Sequence, residues 1–382
     1  MRSPERVLNS LNEHSKDSSY KFERLYRLLF NEELFYVAYQ KIASNGGSTT
    51  KGSDGRSIDG MSLARIETLI ASLKDESYQP HPSRRVHIPK KNGKTRPLGI
   101  PAFEDKLVQE VVRMILEAIY EGHFETTSHG FRPKRSCHTA LLHIQKTFNG
   151  AKWFIEGDIK GFFDNIDHDV LVGILRERIS DDRFIRLIRK FLKAGYVEDW
   201  TFHNTYSGTP QGGIVSPILA NIYLDKLDKY VKEYIQHFDK GTKRRPGKES
   251  NNLANERKRT VRKLKKVKDG TEKAALVARL KAIEQERAAF PNGDEMDESY
   301  RRLKYIRYAD DFILGVIGSK EEAQRIKEDI KSFLSASLAL ELSEEKTLIT
   351  HTGKSAKFLG YEITVTRDNH QRRDVRGCLR RT

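Results

Sequence analysis

Apolar residues recur at helical spacing along much of the first third of the chain, which predicts helices there. The predicted helices cover residues 20–43, 62–74, 104–121 and 137–148, and a Gly-, Ser- and Thr-rich loop covers residues 44–60. Two short alternating runs, residues 84–89 and 95–100, flank Lys90-Lys91-Asn92-Gly93-Lys94. Because Asn-Gly accepts the positive φ of a tight turn, these runs predict a β-hairpin with a cationic tip.

The rest of the chain alternates between strand and helix patterns. The predicted strands are residues 153–159, 305–316 (a hairpin with two acidic residues at its tip) and 357–363. The predicted helices are residues 168–177, 181–194, 217–234 and 320–338. This order indicates an α+β fold with a split βαβ, ferredoxin-like sheet that is layered with helices.

Composition narrows the class of protein. The 382 residues include 69 Lys and Arg against 53 Asp and Glu, a net charge of +16, with 37% hydrophobic residues. That apolar content excludes a disordered chain, and the charge favours a polyanionic partner, nucleic acid or an anionic membrane surface. No apolar stretch approaches the ~20 residues of a membrane span, and two cysteines are too few for a zinc cluster or a disulfide framework. We expect a soluble cytoplasmic protein, in a bacterial or organellar-like host, with no membrane partner.

The positive charge is concentrated in one segment. Residues 240–287 hold 17 Lys or Arg and 6 Asp or Glu, a net +11. Few of these residues are apolar, so the segment has the composition of an insertion. Two interpretations fit it: a solvated helical excursion, or a basic helix that contacts RNA phosphates.

Three carboxylates are the candidate chemistry. Asp158 ends a predicted strand, and Asp310 and Asp311 lie at the predicted hairpin tip. A single Asp at such a place could simply cap a turn or pair with an arginine. Two adjacent acids raise each other's proton affinity unless a cation neutralises them, and oxygen ligands without His or Cys suit Mg²⁺. Two such ions about 3.5–4 Å apart can clamp both oxygens of a phosphoryl displacement.

These motifs resemble those of a known family. Tyr308-Ala309-Asp310-Asp311 resembles the aromatic-x-Asp-Asp motif of reverse transcriptases, and residues 158–163 resemble their first catalytic motif. Residues 207–217, Ser-Gly-Thr-Pro-Gln-Gly-Gly-Ile-Val-Ser-Pro, resemble the form found in group II intron-encoded proteins. Residues 129–136 and 358–361 are similar to further blocks of that family, and all of them occur in the family's order. The chain therefore resembles the fingers and palm portion of a group II intron-encoded maturase and reverse transcriptase.

The resemblance implies a right-hand polymerase fold with fingers and palm, and we expect the thumb to be absent. The expected parts are residues 1–80 (N-terminal extension and helical fingers with a template-closing loop), 81–150 (fingers with the cationic hairpin), 151–235 (first part of the palm), 236–300 (basic insertion), 301–366 (second part of the palm) and 367–382 (start of a linker).

The resemblance also implies roles for single residues. Two Mg²⁺ ions would be held by Asp158, Asp310 and Asp311, with the Ile159 carbonyl as a further ligand. The nucleotide-binding residues would be Lys90 and Arg96 on the triphosphate, Phe163 against C2′ of the sugar, Gln211 on the incoming nucleotide and Lys346 near the leaving pyrophosphate. The primer and template contacts would involve Gly212, where backbone approaches closely, and the primer-gripping hairpin with Leu359, Gly360 and Tyr361.

The expected function is RNA-directed DNA polymerisation by two-metal phosphoryl transfer, with an RNA template, a DNA primer and deoxynucleoside triphosphates. A group II intron RNA is the expected partner, bound to assist splicing and mobility. Two alternatives remain: an RNA-binding splicing cofactor with little polymerase activity, or a retron, diversity-generating or CRISPR-associated reverse transcriptase. A homodimer could form through apolar surface left exposed where a thumb would dock.

Overall fold

The computed structural model describes residues 3–89, 93, 95–199, 201–209, 212–290, 293–294, 297–365, 371–373 and 379–381. The helices are α1 Pro4–Ser15, α2 Glu32–Ala43, α3 Leu63–Lys74, α4 Phe103–Tyr120, α5 Cys137–Thr147, α6 Phe162–Asn165, α7 His168–Arg176, α8 Asp182–Lys193, α9 Ser216–Phe238, α10 Lys248–Leu264, α11 Gly270–Ala289 and α12 Lys320–Leu338. The strands are β1 Ser83–Pro89, β2 Thr95–Ile100, β3 Trp153–Asp158, β4 Tyr196–Glu198, β5 Thr201–His203, β6 Arg302–Tyr308, β7 Asp311–Ile317, β8 Leu348–His351, β9 Ala356–Phe358, β10 Tyr361–Ile363, β11 Gln371–Arg373 and β12 Leu379–Arg381. Short 3₁₀ helices cover Tyr26–Phe30 and Glu121–His123.

A four-stranded antiparallel sheet in the order β6-β7-β3-β8 forms the palm of the molecule. Its first strand along the chain lies between the third and the last, which is the ferredoxin-like order. The predicted α+β fold with a split βαβ sheet is thus confirmed.

The two faces of the palm sheet pack against different partners. Alternate residues such as Ile155 and Phe312 point into the main core, which α9 and α12 complete. On the other face, Phe154 and Ile313 join a smaller cluster with Phe358 of β9 and residues of α5. The main core continues without interruption into α2, α3, α4, α7 and α8, so palm and N-terminal helices share one hydrophobic interior.

A second sheet, in the order β2-β1-β4-β5, forms the fingers. The predicted hairpin is present, with β1 and β2 antiparallel from the pair Arg84↔Ile100 to the pair Pro89↔Thr95. Its tip residues 90, 91, 92 and 94 lie outside the described residues. Strands β4 and β5 are three residues each and were not predicted, because so short a run carries no readable periodicity.

Two predicted elements are wrong in detail. The single helix predicted over residues 20–43 is divided, because Asn31 ends the 3₁₀ turn and caps α2 by accepting a hydrogen bond from the Glu33 amide. The single strand predicted over residues 357–363 is the hairpin β9–β10. Leu359 and Gly360 turn the chain there with φ of 53° and 81°.

The basic insertion forms a helical hairpin. Helices α10 and α11 pack against each other, and Ile283 is buried between them. Arg257 pairs with Glu284 at 2.6 Å and Arg279 with Glu256 at 2.7 Å, both at exposed positions. The segment expected to be a linker contains the antiparallel pair β11–β12. Among the described residues, no helix combines the length and the apolar character needed to cross a membrane.

Candidate active site

The structure brings the three predicted carboxylates together at one end of the palm sheet. Asp158, the last residue of β3, lies directly opposite Asp311, the first residue of β7. Tyr308 also pairs with Asp311, which leaves only Ala309 and Asp310 in the turn between β6 and β7. Because side chains alternate along a strand, Asp158 lies on the same sheet face as Phe154, and Asp311 on the same face as Ile313. That is the face without α9 and α12.

Crowding changes the protonation of these acids. Burial, followed by the charges of Asp310 and Asp158, raises the pKa of Asp311 to about 7. Burial also raises the pKa of Asp310, with Asp158 adding to the effect and Arg96 and Lys346 opposing it. Asp311 therefore still binds a proton near neutral pH, as expected where like charges share a partly buried site.

Lys346 supplies a positive charge at the cluster. Its Nζ donates a hydrogen bond of 2.8 Å to Asp158 Oδ2. The loop that carries it is held in place, because the Ser343 amide donates to the Asp158 carbonyl at 2.8 Å. The hydrogen bond to Asp158 raises the pKa of Lys346, so the ammonium form is favoured.

The donor set suits a hard cation. All three acids offer only oxygen atoms as ligands. The Lys346 ammonium already binds Asp158, which shows that the cluster accepts a positive charge. Among the described residues, no group of three or more His, Cys, Asp or Glu side chains is arranged to coordinate a metal ion by itself. Mg²⁺ commonly keeps several waters and takes ligands from substrate phosphates, so it does not require a cage made only of protein. The three acids therefore offer the oxygen ligands that a hard divalent cation takes.

The strand residues around Asp158 are constrained by their neighbours. A Cβ on Gly157 would lie 2.1 Å from the Phe312 ring, so this position requires glycine. Ile159 pairs with Leu342 and its side chain is buried. The role of the Ile159 carbonyl as a ligand remains a prediction.

A buried ion pair that sequence reasoning missed supports the turn between β6 and β7. Arg307 is fully buried, and its guanidinium donates to both carboxylate oxygens of Asp228 on α9, at 2.8 and 2.6 Å. It also donates to the Ala309 carbonyl at 2.8 Å and to Ser128 Oγ at 2.8 Å. Arg307 therefore fixes the backbone next to Asp310 from behind the sheet. The available signal was a charged residue inside the apolar run Tyr305-Ile306-Arg307-Tyr308, since buried arginines occur almost only when paired.

On the fingers, Arg96 lies on β2 opposite Ile88 and is exposed. Its charge lowers the pKa of Asp310, which places it within electrostatic reach of the carboxylates. Lys90 and Gln211 lie outside the described residues, so their predicted roles stay predictions.

Phe163 lies in α6, directly after the loop that leaves β3, and is 7% exposed. Its ring contacts Phe162 at a centroid distance of 5.2 Å and Phe131 at 6.4 Å. Its carbonyl accepts a hydrogen bond of 2.7 Å from the Thr209 amide, which links α6 to the motif at residues 207–217. A cavity of about 370 Å³ lies between this region and the fingers sheet, lined by Phe163 together with Arg85, Pro97 and Tyr206.

Gly212 is needed for a contact with the fingers. It has φ of 107°, and a Cβ there would lie 2.4 Å from the Gly99 carbonyl oxygen of β2. The structure thus explains the glycine by packing of the loop on β2. Its predicted contact with primer or template remains a prediction.

The β9–β10 hairpin carries Leu359 and Gly360 in its turn and Tyr361 at the start of β10, 48% exposed. It is attached to β3, because Glu156 Oε2 accepts a hydrogen bond of 2.8 Å from the Lys357 amide. Glu156 and Asp158 are two residues apart on β3, so the hairpin lies on the same face as the carboxylates. The primer grip by Leu359, Gly360 and Tyr361 remains a prediction.

Comparison with known proteins agrees with this geometry. The sequence profile of the family described as "Reverse transcriptase (RNA-dependent DNA polymerase)" matches residues 88–244 and 287–363. The chain is 52% identical over 363 residues to the "Group II intron-encoded protein LtrA" of Lactococcus lactis subsp. cremoris, covering 94% of this chain and 60% of that protein. It is 38% identical to the "Putative COX1/OXI3 intron 1 protein" of Saccharomyces cerevisiae, covering 94% of this chain and 41% of that protein.

The chain is also 36% identical to "Protein YkfC" of Escherichia coli, covering 93% of this chain and 86% of that protein. It therefore spans 60% of the length of LtrA but most of the length of YkfC. The resemblance predicted from the motifs is confirmed: the chain belongs to the reverse transcriptase (RNA-dependent DNA polymerase) family and is related within it to group II intron-encoded proteins.

Proposed function

We propose that this chain is an RNA-directed DNA polymerase whose active site is the sheet end that carries Asp158, Asp310 and Asp311. The observation that carries the proposal is the register of β3 against β7, which sets Asp158 opposite Asp311 beside the Lys346 ammonium. Residues about 150 positions apart in the sequence thus form one partly buried acidic cluster at the end of the two central strands of the sheet. The proposed substrates are an RNA template, a DNA primer and deoxynucleoside triphosphates.

Asp158, Asp310 and Asp311 would hold two Mg²⁺ ions, with the Ile159 carbonyl as a further ligand. Such ions, when bound, activate the attacking 3′-hydroxyl and neutralise charge on the leaving oxygen. The high proton affinity of Asp311 without a cation supports this assignment, because a bound divalent ion would offset the repulsion that causes it.

The surrounding residues would act on the nucleotide. Arg96, together with Lys90, would neutralise the triphosphate from the fingers, since phosphate binding needs cations on an element that can approach the palm. Lys346 Nζ, which is favoured as an ammonium, would donate a proton to the leaving pyrophosphate. Phe163 would exclude a 2′-hydroxyl by its bulk, and Gln211 would contact the incoming nucleotide.

We also infer how the parts are used. Residues 1–80 and 81–150 would serve as fingers, residues 151–235 and 301–366 as palm, with Gly212 and the hairpin residues Leu359, Gly360 and Tyr361 along the primer and template. The sheet β6-β7-β3-β8 supports the palm assignment, because all its strands come from residues 151–235 and 301–366. The fingers sheet departs from the division, because β4 and β5 join it from within residues 151–235.

Primer extension tests the polymerase proposal. The parent and the Asp310→Ala/Asp311→Ala variant are compared on an RNA template with Mg²⁺ and deoxynucleotides. We expect Mg²⁺-dependent complementary DNA from the parent and none from the variant. Glu32→Ala/Glu33→Ala, which removes two adjacent acids from the first turn of α2, is the matched control and should extend the primer normally. Equal synthesis by parent and Asp variant would contradict the proposal.

A second function, binding of a structured group II intron RNA, is favoured by the α10–α11 hairpin. Its loop end carries exposed cations, among them Lys263, Lys265 and Lys266, outside the Arg–Glu pairs that join the two helices. RNA recognised by shape needs such accessible cations and no base-reading motif.

The salt dependence of RNA affinity tests this second function. Lys265→Gln/Lys266→Gln should weaken binding of an intron RNA and lower the slope of log affinity against log salt by up to about 1.4, if each lysine contacts a phosphate. Lys320→Gln/Lys331→Gln removes two lysines from α12 and should leave the slope nearer the parent value. If the hairpin variant and the parent have the same RNA affinity and the same salt slope, the hairpin does not take part in RNA binding.

A further inference from the structure

Phe131 is an exposed aromatic residue in a buried segment beside the carboxylates. Its exposed fraction is 53%, whereas Ser128, His129 and Arg132 around it are 0%, 3% and 8% exposed. Burial of a phenylalanine side chain stabilises a fold, and this position forgoes much of that gain.

The backbone conformation of Phe131 is also unfavourable. Its φ is 55°, in the left-handed region that bulky side chains seldom occupy. Residues in such conformations persist where the surrounding structure holds them, and they occur preferentially at binding and catalytic sites. Phe131 therefore combines an exposed apolar ring with an unfavourable backbone conformation, and a purely structural surface residue requires neither.

Contacts on both sides of Phe131 fix its place relative to the carboxylates. The Gly130 carbonyl accepts a hydrogen bond of 2.8 Å from Asn221 Nδ2 on α9. Gly130 lies so close to the turn between β6 and β7 that a Cβ would be 2.3 Å from the Ala309 nitrogen. On the other side, the Arg132 guanidinium donates to the Glu121 carboxylate and, at 2.9 Å, to the Ser128 carbonyl.

The exposed ring packs near two other aromatic residues of the candidate site. Its centroid is 6.4 Å from that of Phe163, with an edge-to-face angle of 78°, and 6.5 Å from that of Tyr308. Phe131 is thus the exposed member of an aromatic group whose other two members flank Asp158 and Asp310 in the sequence. Edge-to-face packing is a favourable geometry for an aromatic pair, so the Phe131 ring supports the Phe163 ring on one side.

We propose that Phe131 is a second specificity-determining residue, which supports Phe163 from the solvent side and extends the apolar wall against the sugar of the incoming nucleotide. The inference rests on the proposed polymerase function and on the placement of Phe163 against C2′. With Phe131 in place, a ribonucleotide would have to displace two coupled rings to fit its 2′-hydroxyl. Without it, Phe163 could shift into the space that Phe131 leaves.

Single-nucleotide incorporation tests this role. The ratio of kcat/KM for a deoxynucleotide to kcat/KM for the matching ribonucleotide is measured for the parent, Phe131→Ala and Phe131→Tyr. We expect the ratio to fall about 10-fold in Phe131→Ala, the range expected for loss of an apolar steric contact, and to recover in Phe131→Tyr, which restores the ring. Thermal stability should change little in both, because about half of Phe131 is exposed.

Phe202→Ala is the matched control, since Phe202 on β5 is 52% exposed and belongs to the fingers sheet. It should keep the parent ratio. A Phe131→Ala ratio within twofold of the parent, or an equal fall in Phe202→Ala, would overturn the role of Phe131. Failure of the parent itself to extend a primer would instead contradict the polymerase proposal, so the two results are distinguishable.

Discussion

The turn between β6 and β7 and the α10–α11 hairpin are both rich in charged residues. Their ion pairs differ in burial. Behind the turn, Arg307 and Asp228 form an ion pair with no solvent exposure, and each guanidinium nitrogen has a partner. In the hairpin, the side chains of the pair Arg257–Glu284 are 46% and 39% exposed. A site that must place carboxylates accurately needs buried ion pairs around it whose hydrogen bonds are all made. A surface that attracts phosphate needs only accessible cations.

The largest difference in stability is expected at Arg307. Arg307→Met removes one partner of the buried pair and leaves the Asp228 carboxylate without compensation. We expect a loss of about 3–5 kcal/mol in the free energy of unfolding, measured by urea denaturation. A loss below 1 kcal/mol would show that this ion pair does not hold the turn.

An intermediate change in the free energy of unfolding is expected when the pH is lowered, because His129 packs beside Arg307 behind the same turn. Its amide donates to the Arg307 carbonyl at 2.9 Å, and its ring faces His143, Arg135 and Arg132. Burial, and then the charge of Arg135, lowers the pKa of His129 to about 4. Between pH 6.5 and 4 the unfolded chain therefore binds a proton that the folded chain does not.

Stability from this group is fully present above pH 6.5 and decreases as the pH falls toward 4, by up to about 1.4 kcal/mol per pH unit. Urea denaturation at several pH values should show a shallower acid loss in His129→Gln than in the parent. His138→Gln, at an exposed position on α5, is the control. Identical pH profiles for the parent and His129→Gln would contradict the assignment.

The smallest effect is expected in the hairpin. Arg257→Met breaks an exposed pair and should change the free energy of unfolding by about 0.5 kcal/mol or less. The same denaturation series checks this value. A change as large as that of Arg307→Met would mean that the hairpin is structurally coupled to the core and would remove the contrast between the two regions.

Much of the fold could be predicted from the sequence, because alternation and helical spacing are strong in the palm. Strands β3, β6 and β7 carry enough apolar residues to identify the sheet, and the order of elements then fixes its topology. The β9–β10 hairpin was harder to predict, since Leu359 is an apolar residue in a left-handed conformation that its type does not favour.

The site was predictable where its chemistry is local. The acids Asp158, Asp310 and Asp311 stand out by their positions at strand ends, and the register of β3 against β7 brings them together. The buried ion pair behind the turn was harder to predict: the apolar run around Arg307 indicates that this arginine is buried, but nothing in the sequence identifies Asp228 as its partner. Likewise, the exposed ring of Phe131 and its backbone conformation depend on contacts with α9 and the turn.

Incorporation of a single deoxynucleotide by Asp158→Asn tests most directly whether the acids act as one site. Asp158 lies on a different strand from Asp310 and Asp311, so its contribution depends on the observed pairing. With RNA affinity measured in parallel, we expect the rate at saturating nucleotide to fall at least about 1,000-fold, a barrier increase of about 4 kcal/mol, while RNA affinity stays within twofold of the parent. A rate close to that of the parent, with Asp310→Ala/Asp311→Ala inactive, would contradict a shared metal site at this end of the sheet.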